Sequence, residues 1–142
     1  MAQLRASAPA GLALVVCAGA GESSLLAPLR EPVPGWTPLV IAEPLTVGEL
    51  AALVAGARVL VANNSGPVHL AAALGTPVVD LYALTNPQHT PWRVPARVLS
   101  HDVPCRDCLQ SRCPQPQHPC LRGVPPAAVA RAAAFGSAAS AR

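Results

Sequence analysis

The hydrophobic positions of this chain fall in short apolar runs that alternate with segments rich in helix formers. Runs of β-branched and aliphatic residues predict buried strands, whereas leucine and alanine at helical spacing predict helices. Because strand and helix alternate, we expect a parallel sheet with right-handed crossovers and flanking helices, in a Rossmann-like α/β domain. The predicted strands are residues 12–17, 38–42, 59–62, 77–82 and 97–99, and the predicted helices are residues 23–30, a helix opening at 46, residues 67–74 and a last helix opening at 125.

Composition limits the classes of protein that fit. The chain has 142 residues, of which 51% are hydrophobic and 12% charged, so one domain with a real core is expected. The formal net charge is +3 and every cationic residue is arginine, a balance that does not require a nucleic-acid partner. No apolar stretch approaches the roughly 20 residues that span a bilayer.

The start of the chain allows two interpretations. Arg5 followed by the apolar residues 11–20 has the layout of an export signal. A buried parallel strand at residues 12–17, with Cys17 inside and a glycine turn after it, agrees better with the alternating pattern.

The segment of residues 63–69 is the most informative in the chain, because a strand, a polar turn and a helix start meet there. Gly66 permits unusual dihedrals and close backbone approach, Pro67 suits a first helical turn, and Ser65 or Asn64 can cap the helix. Outward-facing amides backed by the helix dipole favour a phosphate or a diphosphate. The alternative is an ordinary strand-to-helix connection without a ligand.

This segment also resembles a known family. Residues 64–79 are similar to the donor-binding segment of glycosyltransferase family 9, the ADP-heptose:lipopolysaccharide heptosyltransferases and their relatives. Three further segments carry the likeness in the same order: residues 45–53 before the motif, residues 85–87 after it, and the cysteine tail of residues 105–120. The resemblance covers residues 11–133.

The resemblance implies the C-terminal, donor-binding half of a GT-B glycosyltransferase, followed by a Cys-rich loop and a C-terminal helix. It implies a division into an incomplete Rossmann-like nucleotide-sugar-binding domain at residues 1–104, the loop at 105–120, and the helix and tail at 121–142. The implied ligand is a nucleotide-diphosphate sugar such as ADP-heptose, and the implied acceptor is a glycan or lipid-linked molecule at the membrane surface. The expected location is the cytoplasm or the inner face of the membrane.

The resemblance also implies roles for single residues. Ser65, Gly66, Pro67 and Val68 match positions whose backbone surrounds the diphosphate, and Asn64 stands where an acidic residue commonly contacts the sugar. The other implied donor contacts are His69 to a phosphate oxygen, Glu22 to the nucleoside, Leu45 to the adenine face, and Thr85 with Asn86 closing over the donor. The alternatives are a structural histidine, a solvated acid at a helix start and a core leucine.

The implied chemistry requires more than this chain. A general base must take the proton of the acceptor hydroxyl, and the departing diphosphate must be stabilised. In the family the base is a carboxylate of an N-terminal acceptor domain and a lysine contacts the phosphates, but this chain contains no lysine. We therefore expect no catalytic residue in this chain, a fragment or a partner of a second chain, and negligible transferase activity in isolation. A non-catalytic nucleotide-binding or zinc-bearing interaction module is the alternative.

The cysteines form a C-x2-C-x4-C-x6-C pattern. Cys105, Cys108, Cys113 and Cys120, with His118 as a competing ligand, suit a tetrahedral structural zinc. Reduced thiols in a proline-rich loop, or disulfides in an exported protein, are the alternatives. No aromatic residue lies between His101 and Gly123, which weakens the analogy with a nucleic-acid-binding zinc knuckle. No cofactor is expected to be required for catalysis.

Overall fold

The computed structural model of the protein describes residue 6 and residues 11–19, 21–29, 37–110 and 112–134. Arg5 and the predicted C-terminal tail beyond residue 134 lie outside these ranges.

The strands form two parallel sheets. In the first sheet, β1 (Val15–Cys17) pairs with β2 (Leu39–Ile41). In the second sheet, β4 (Val78–Leu81) lies between β3 (Leu60–Asn63) and β5 (Ala96–Leu99). All pairs are parallel, which confirms the α/β class predicted from the alternation of strand and helix.

The first strand differs from the prediction. It covers Val15–Cys17 rather than residues 12–17, and Cys17 is exposed, so its prediction as a buried residue was wrong. Within the described ranges no ladder joins β1 to β3, and the pair β1–β2 therefore stands as a separate two-stranded sheet. Cys17 ends the strand at the edge of this small sheet, where nothing covers its side chain.

Two α-helices connect strands, as predicted, and two more follow the last strand. They are α1 (Val47–Ala55), α2 (Gly66–Leu74), the short α3 (Pro119–Arg122) and α4 (Pro126–Ala133). The segment Ser23–Leu29 is a 3₁₀ helix rather than an α-helix, and it contains a proline that cannot donate a helical hydrogen bond.

Local sequence determines where α1 and α2 begin and end. Glu49 N donates to Thr46 Oγ1 at 3.3 Å and Thr46 N donates to Glu49 Oε2 at 2.8 Å, a complete capping box at the start of α1. The hydrogen bonds from Thr46 lower the pKa of Glu49. Gly75 ends α2 with a left-handed φ of 76°. Ser65 is the N-cap of α2 in position, but its hydroxyl donates to Asn63 O at 3.1 Å, so the predicted side-chain cap was wrong.

The core lies between the three-stranded sheet and the helices α1 and α2. Val54, Val68, Ala71 and Val78 form its buried centre. Helix α4 packs against β4 and β5. Because Val68 is fully buried in the first turn of α2, hydrophobic burial anchors the turn that precedes this helix.

The buried Thr76 hydroxyl ties the start of β4 to α1, because Thr76 Oγ1 donates to Val54 O at 2.9 Å. We expect Thr76→Val to lower the free energy of unfolding by about 1 kcal/mol, the usual net value of such a bond. Val54 O still accepts a hydrogen bond from Ala57 N in this variant, which limits the loss of stability. Urea denaturation measures the change.

Thr37→Val is the matched control, since the side chain of Thr37 is exposed. It should change stability by less than about 0.5 kcal/mol. Equal losses in the two variants would contradict the role given to Thr76.

Candidate functional site

The turn between β3 and α2 presents fewer free amides than the sequence predicts. Pro67 has no N–H, and the N–H of Val68 donates to Ser65 O at 3.0 Å. In the part of the chain that the structure describes, the N–H groups of Ser65 and Gly66 have no hydrogen-bond partner. The backbone donors at the very start of α2 are therefore these two, and the fully buried Val68 side chain belongs to the core.

The space in front of Gly66 is open. A Cβ atom built on Gly66 meets no atom within 4 Å, and Gly66 does not have a left-handed φ. The fold itself therefore does not require a glycine here. The missing side chain leaves room for a ligand to reach the amides at the positive end of the helix dipole.

The carboxamide of Asn64 is held by two acceptors. Its Nδ2 donates to Asp80 Oδ2 and to His89 O, both at 2.8 Å, and its backbone N–H donates to Leu81 O at 3.1 Å. Both side-chain N–H groups are thus used inside the protein. The side-chain oxygen Oδ1 is the polar atom that remains for a ligand.

Asp80 is a site residue that the sequence reasoning missed. Its side chain is fully buried on the central strand β4, and its Oδ1 has no hydrogen-bond partner among the described residues. Burial raises the pKa of Asp80, while the hydrogen bond from Asn64 and the charge of His69 act in the opposite direction. A carboxylate inside the apolar run Val78–Leu81 is the signal that could have revealed it.

A cavity of about 650 Å³ opens at the carboxyl ends of β3 and β4. Asn64, Thr85, Asn86 and His89 line one side of it. The structure thus places Asn64, Thr85 and Asn86 around one space, and their contact with a donor stays a prediction. The residues from Ser65 to His69 do not line this cavity.

The Cys-rich loop forms the other wall of the cavity. Asp107 N donates to Leu84 O at 2.8 Å and Leu109 N donates to Thr85 O at 3.2 Å, so the loop pairs with the segment that follows β4. The lining residues from the loop and the start of α3 include Cys105, Cys108, Cys113, His118 and Cys120. The loop is therefore part of the candidate site rather than a separate appendage.

The five cysteines are free thiols, and the zinc prediction finds no support in this arrangement. Among the residues that the structure places, no group of three or more His, Cys, Asp or Glu side chains could hold a metal ion. The pKa of the Cys120 thiol is raised, mainly by burial, and Cys120 Sγ lies 3.1 Å from Ala83 O. Structural zinc stays a prediction from the spacing alone.

The remaining predicted contacts lie outside the cavity lining. Glu22 is exposed, and its Oε2 accepts from Gly19 N at 2.8 Å in the turn after β1. Leu45 is half-buried, two residues before α1. His69 is exposed in the first turn of α2, close enough to Asp80 to influence the pKa of that carboxyl. Contact of these three residues with a ligand stays a prediction.

No helix within the described ranges is both long and apolar enough to cross a membrane.

Together these features define an α/β domain with an open helix N-terminus beside a cavity at the carboxyl edge of a parallel sheet. The model of glycosyltransferase family 9 (heptosyltransferase) matches residues 4–118. The chain therefore belongs to glycosyltransferase family 9.

Individual relatives agree with this family. The chain is 41% identical over 70 residues to lipopolysaccharide heptosyltransferase 1 of Pseudomonas aeruginosa, which is 49% of this chain and 20% of the relative. It is 31% identical over 83 residues to lipooligosaccharide heptosyltransferase 2 of Campylobacter jejuni, which is 57% of this chain and 26% of the relative. It thus spans about a fifth to a quarter of the length of these two relatives.

A solved structure shares the fold. The glycosyl transferase family 9 from Veillonella parvula superposes with a TM-score of 0.69 and 24% identity, over 89% of this chain and 36% of that chain.

The raised pKa of Asp80 predicts a pH effect on stability. At pH values between this raised pKa and the ordinary pKa of 3.8, the folded state binds more protons than the unfolded state. Protonation therefore favours folding in this range. As the pH falls from neutral toward 3.8, we expect the wild type to gain stability relative to Asp80→Asn. Urea denaturation of both proteins across this range measures the difference. A difference in the free energy of unfolding that does not change with pH, or that changes in the opposite direction, would contradict a raised pKa of the buried Asp80 carboxyl.

Proposed function

We propose that this chain binds the nucleotide-diphosphate sugar donor of a heptosyltransferase-type enzyme. The observation that carries the proposal is the open corner at Gly66, where two backbone N–H groups with no partner among the described residues stand at the start of a helix. A diphosphate is the ligand that this arrangement suits best, because it combines negative charge with several hydrogen-bond acceptors. Family membership supports the same ligand.

The same corner supports a role in sugar transfer. Negative charge develops on the diphosphate as the bond to the sugar breaks, and fixed amides with a helix dipole stabilise that charge without reorganisation. The exposed imidazole of His69 stands one turn into the same helix and is able to donate to a phosphate oxygen.

The cavity beside the corner is the proposed sugar site. Its volume of about 650 Å³ leaves room for a sugar, and Asn64, Thr85 and Asn86 supply polar groups for sugar hydroxyls within an otherwise mostly apolar lining. The names of the relatives point to heptose as the sugar and to lipopolysaccharide or lipooligosaccharide as the acceptor. We extend this to the present chain, with ADP as the nucleotide.

Transfer requires parts that the described residues do not supply. We assign no general base among them, and this chain spans about a fifth to a quarter of the length of the two relatives named above. We propose that the base and the acceptor site belong to a second domain of a GT-B enzyme, with this chain as its Rossmann-like donor domain at the cytoplasmic side of the membrane.

Gly66→Ala tests the proposal directly. The added methyl group meets no atom of the described residues within 4 Å, so we expect a folded chain. The same methyl group occupies the space through which the phosphates reach the amides, and we expect ADP-heptose and ADP to bind about tenfold more weakly, or about 1.4 kcal/mol. Isothermal titration calorimetry measures both affinities.

Gly48→Ala is the matched control. Gly48 also lies in the first turn of a helix, α1, and a Cβ atom there meets no atom within 4 Å. Its substitution should leave both affinities unchanged. Unchanged binding in Gly66→Ala, or equal losses in the two variants, would contradict a diphosphate site at Gly66.

The cysteines of the cavity wall give a second test. If the sugar occupies the cavity, bound ADP-heptose should slow alkylation of Cys105, Cys108 and Cys113 by iodoacetamide, because these thiols line the space. Cys17 is exposed and does not line the cavity, so it serves as the internal control. Mass spectrometry of peptides measures each rate. If Cys17 is protected from alkylation as strongly as the three cavity cysteines, or if no cysteine is protected at saturating ligand, this placement of the sugar is contradicted.

A further inference from the structure

A buried carboxylate stands directly behind the residue that is proposed to contact the sugar. The parallel register pairs Ala62 with Asp80 and Asn63 with Leu81. Asn64 is the next residue along β3, and its side chain turns back so that Nδ2 reaches Asp80 Oδ2 at 2.8 Å. The turn and the central strand are therefore joined by a side-chain hydrogen bond at the edge of the cavity.

This pairing determines which way the carboxamide of Asn64 faces. Its two neighbours, the Asp80 carboxylate and the His89 carbonyl, are both acceptors, so the NH₂ group must face them. A flipped carboxamide would place its oxygen against two oxygens. Oδ1 is consequently the atom left to face a ligand, and it presents an acceptor and no donor.

We propose that Asp80 is a positioning residue which, through Asn64, presents one fixed hydrogen-bond acceptor to a hydroxyl group of the donor sugar. The inference rests on the proposed function, because it concerns the sugar end of the same ligand. The resemblance implies an acidic residue at position 64, whereas this chain has an amide there and a carboxylate one strand behind it. An acceptor oxygen, Asn64 Oδ1, therefore remains at position 64, while the carboxylate is that of Asp80 on β4.

The energetics of Asp80 support a role beyond packing. A fully buried carboxylate with one oxygen unpartnered among the described residues is costly, and an apolar residue between Val79 and Leu81 would pack there without that cost. The carboxylate acts on the side chain of Asn64, because the hydrogen bond holds the carboxamide of Asn64 in one orientation.

The proposal predicts a selective effect of Asp80→Asn. An amide at position 80 has nearly the same shape but offers either a donor or an acceptor to Asn64, so the orientation of Asn64 is less well defined. We expect ADP-heptose to bind about fivefold to tenfold more weakly, the value of one hydrogen bond, while ADP binds within about twofold of the wild type. A merely structural role would weaken both ligands together.

Asn64→Asp supplies a second variant and completes a cycle. It places two carboxylates side by side, so we expect a loss of ADP-heptose affinity. The double variant Asn64→Asp with Asp80→Asn should partly reverse this loss, because the amide at position 80 donates to the carboxylate at position 64. Asn63→Asp is the charge-matched control: it adds the same charge at an exposed neighbour and should leave the ratio of the two affinities unchanged.

Calorimetric titration of the full chain and these variants with ADP-heptose and with ADP decides the matter. A selective loss of ADP-heptose affinity in Asp80→Asn, with non-additive effects in the double variant, supports the inference. Equal losses for both ligands, or no loss in Asp80→Asn, would overturn it while leaving the diphosphate site intact. A wild-type chain that binds neither ligand would overturn the proposed function, and the inference with it.

Discussion

The hydrogen bond between the Asn64 carboxamide and the buried Asp80 carboxylate connects the turn after β3 to the central strand of the sheet. On the other side of the turn, Val68 is fully buried in the core. The backbone between these two anchors is held at both ends, and it contains the N–H groups of Ser65 and Gly66, which have no partner among the described residues. Such fixed donors are useful for charge stabilisation because they need not reorganise when a charged ligand arrives.

The site is assembled from segments that are far apart in the chain. The turn at Asn64 supplies one wall of the cavity, the segment after β4 supplies Thr85 and Asn86, and the Cys-rich loop closes the opposite side. The loop keeps its place through backbone hydrogen bonds to Leu84 and Thr85, and several residues around it have left-handed φ angles, including Leu84 and Leu109. Such conformations persist where surrounding contacts hold them, which suits the wall of a binding site.

Local signals explain what the sequence predicts well. The capping box of Thr46 with Glu49, the left-handed Gly75 and the alternation of apolar runs lead directly to α1, α2 and the parallel strands. The features that the sequence does not reveal depend on contacts between distant residues. The partner of Asp80 lies 16 positions away, and the exposure of Cys17 depends on which strands pair beside it. Ser65 illustrates the same limit at short range, because its hydroxyl can either accept from a helix N–H or donate to a backbone carbonyl, and it donates to Asn63 O.

The central claim is that the amides of Ser65 and Gly66 bind a diphosphate. The most direct measurement is a titration of the ¹⁵N-labelled chain with ADP, followed by NMR of the backbone amides. We expect the Ser65 and Gly66 resonances to shift downfield together and to saturate with the same dissociation constant that calorimetry gives. Saturable binding of ADP that leaves both resonances in place would contradict it.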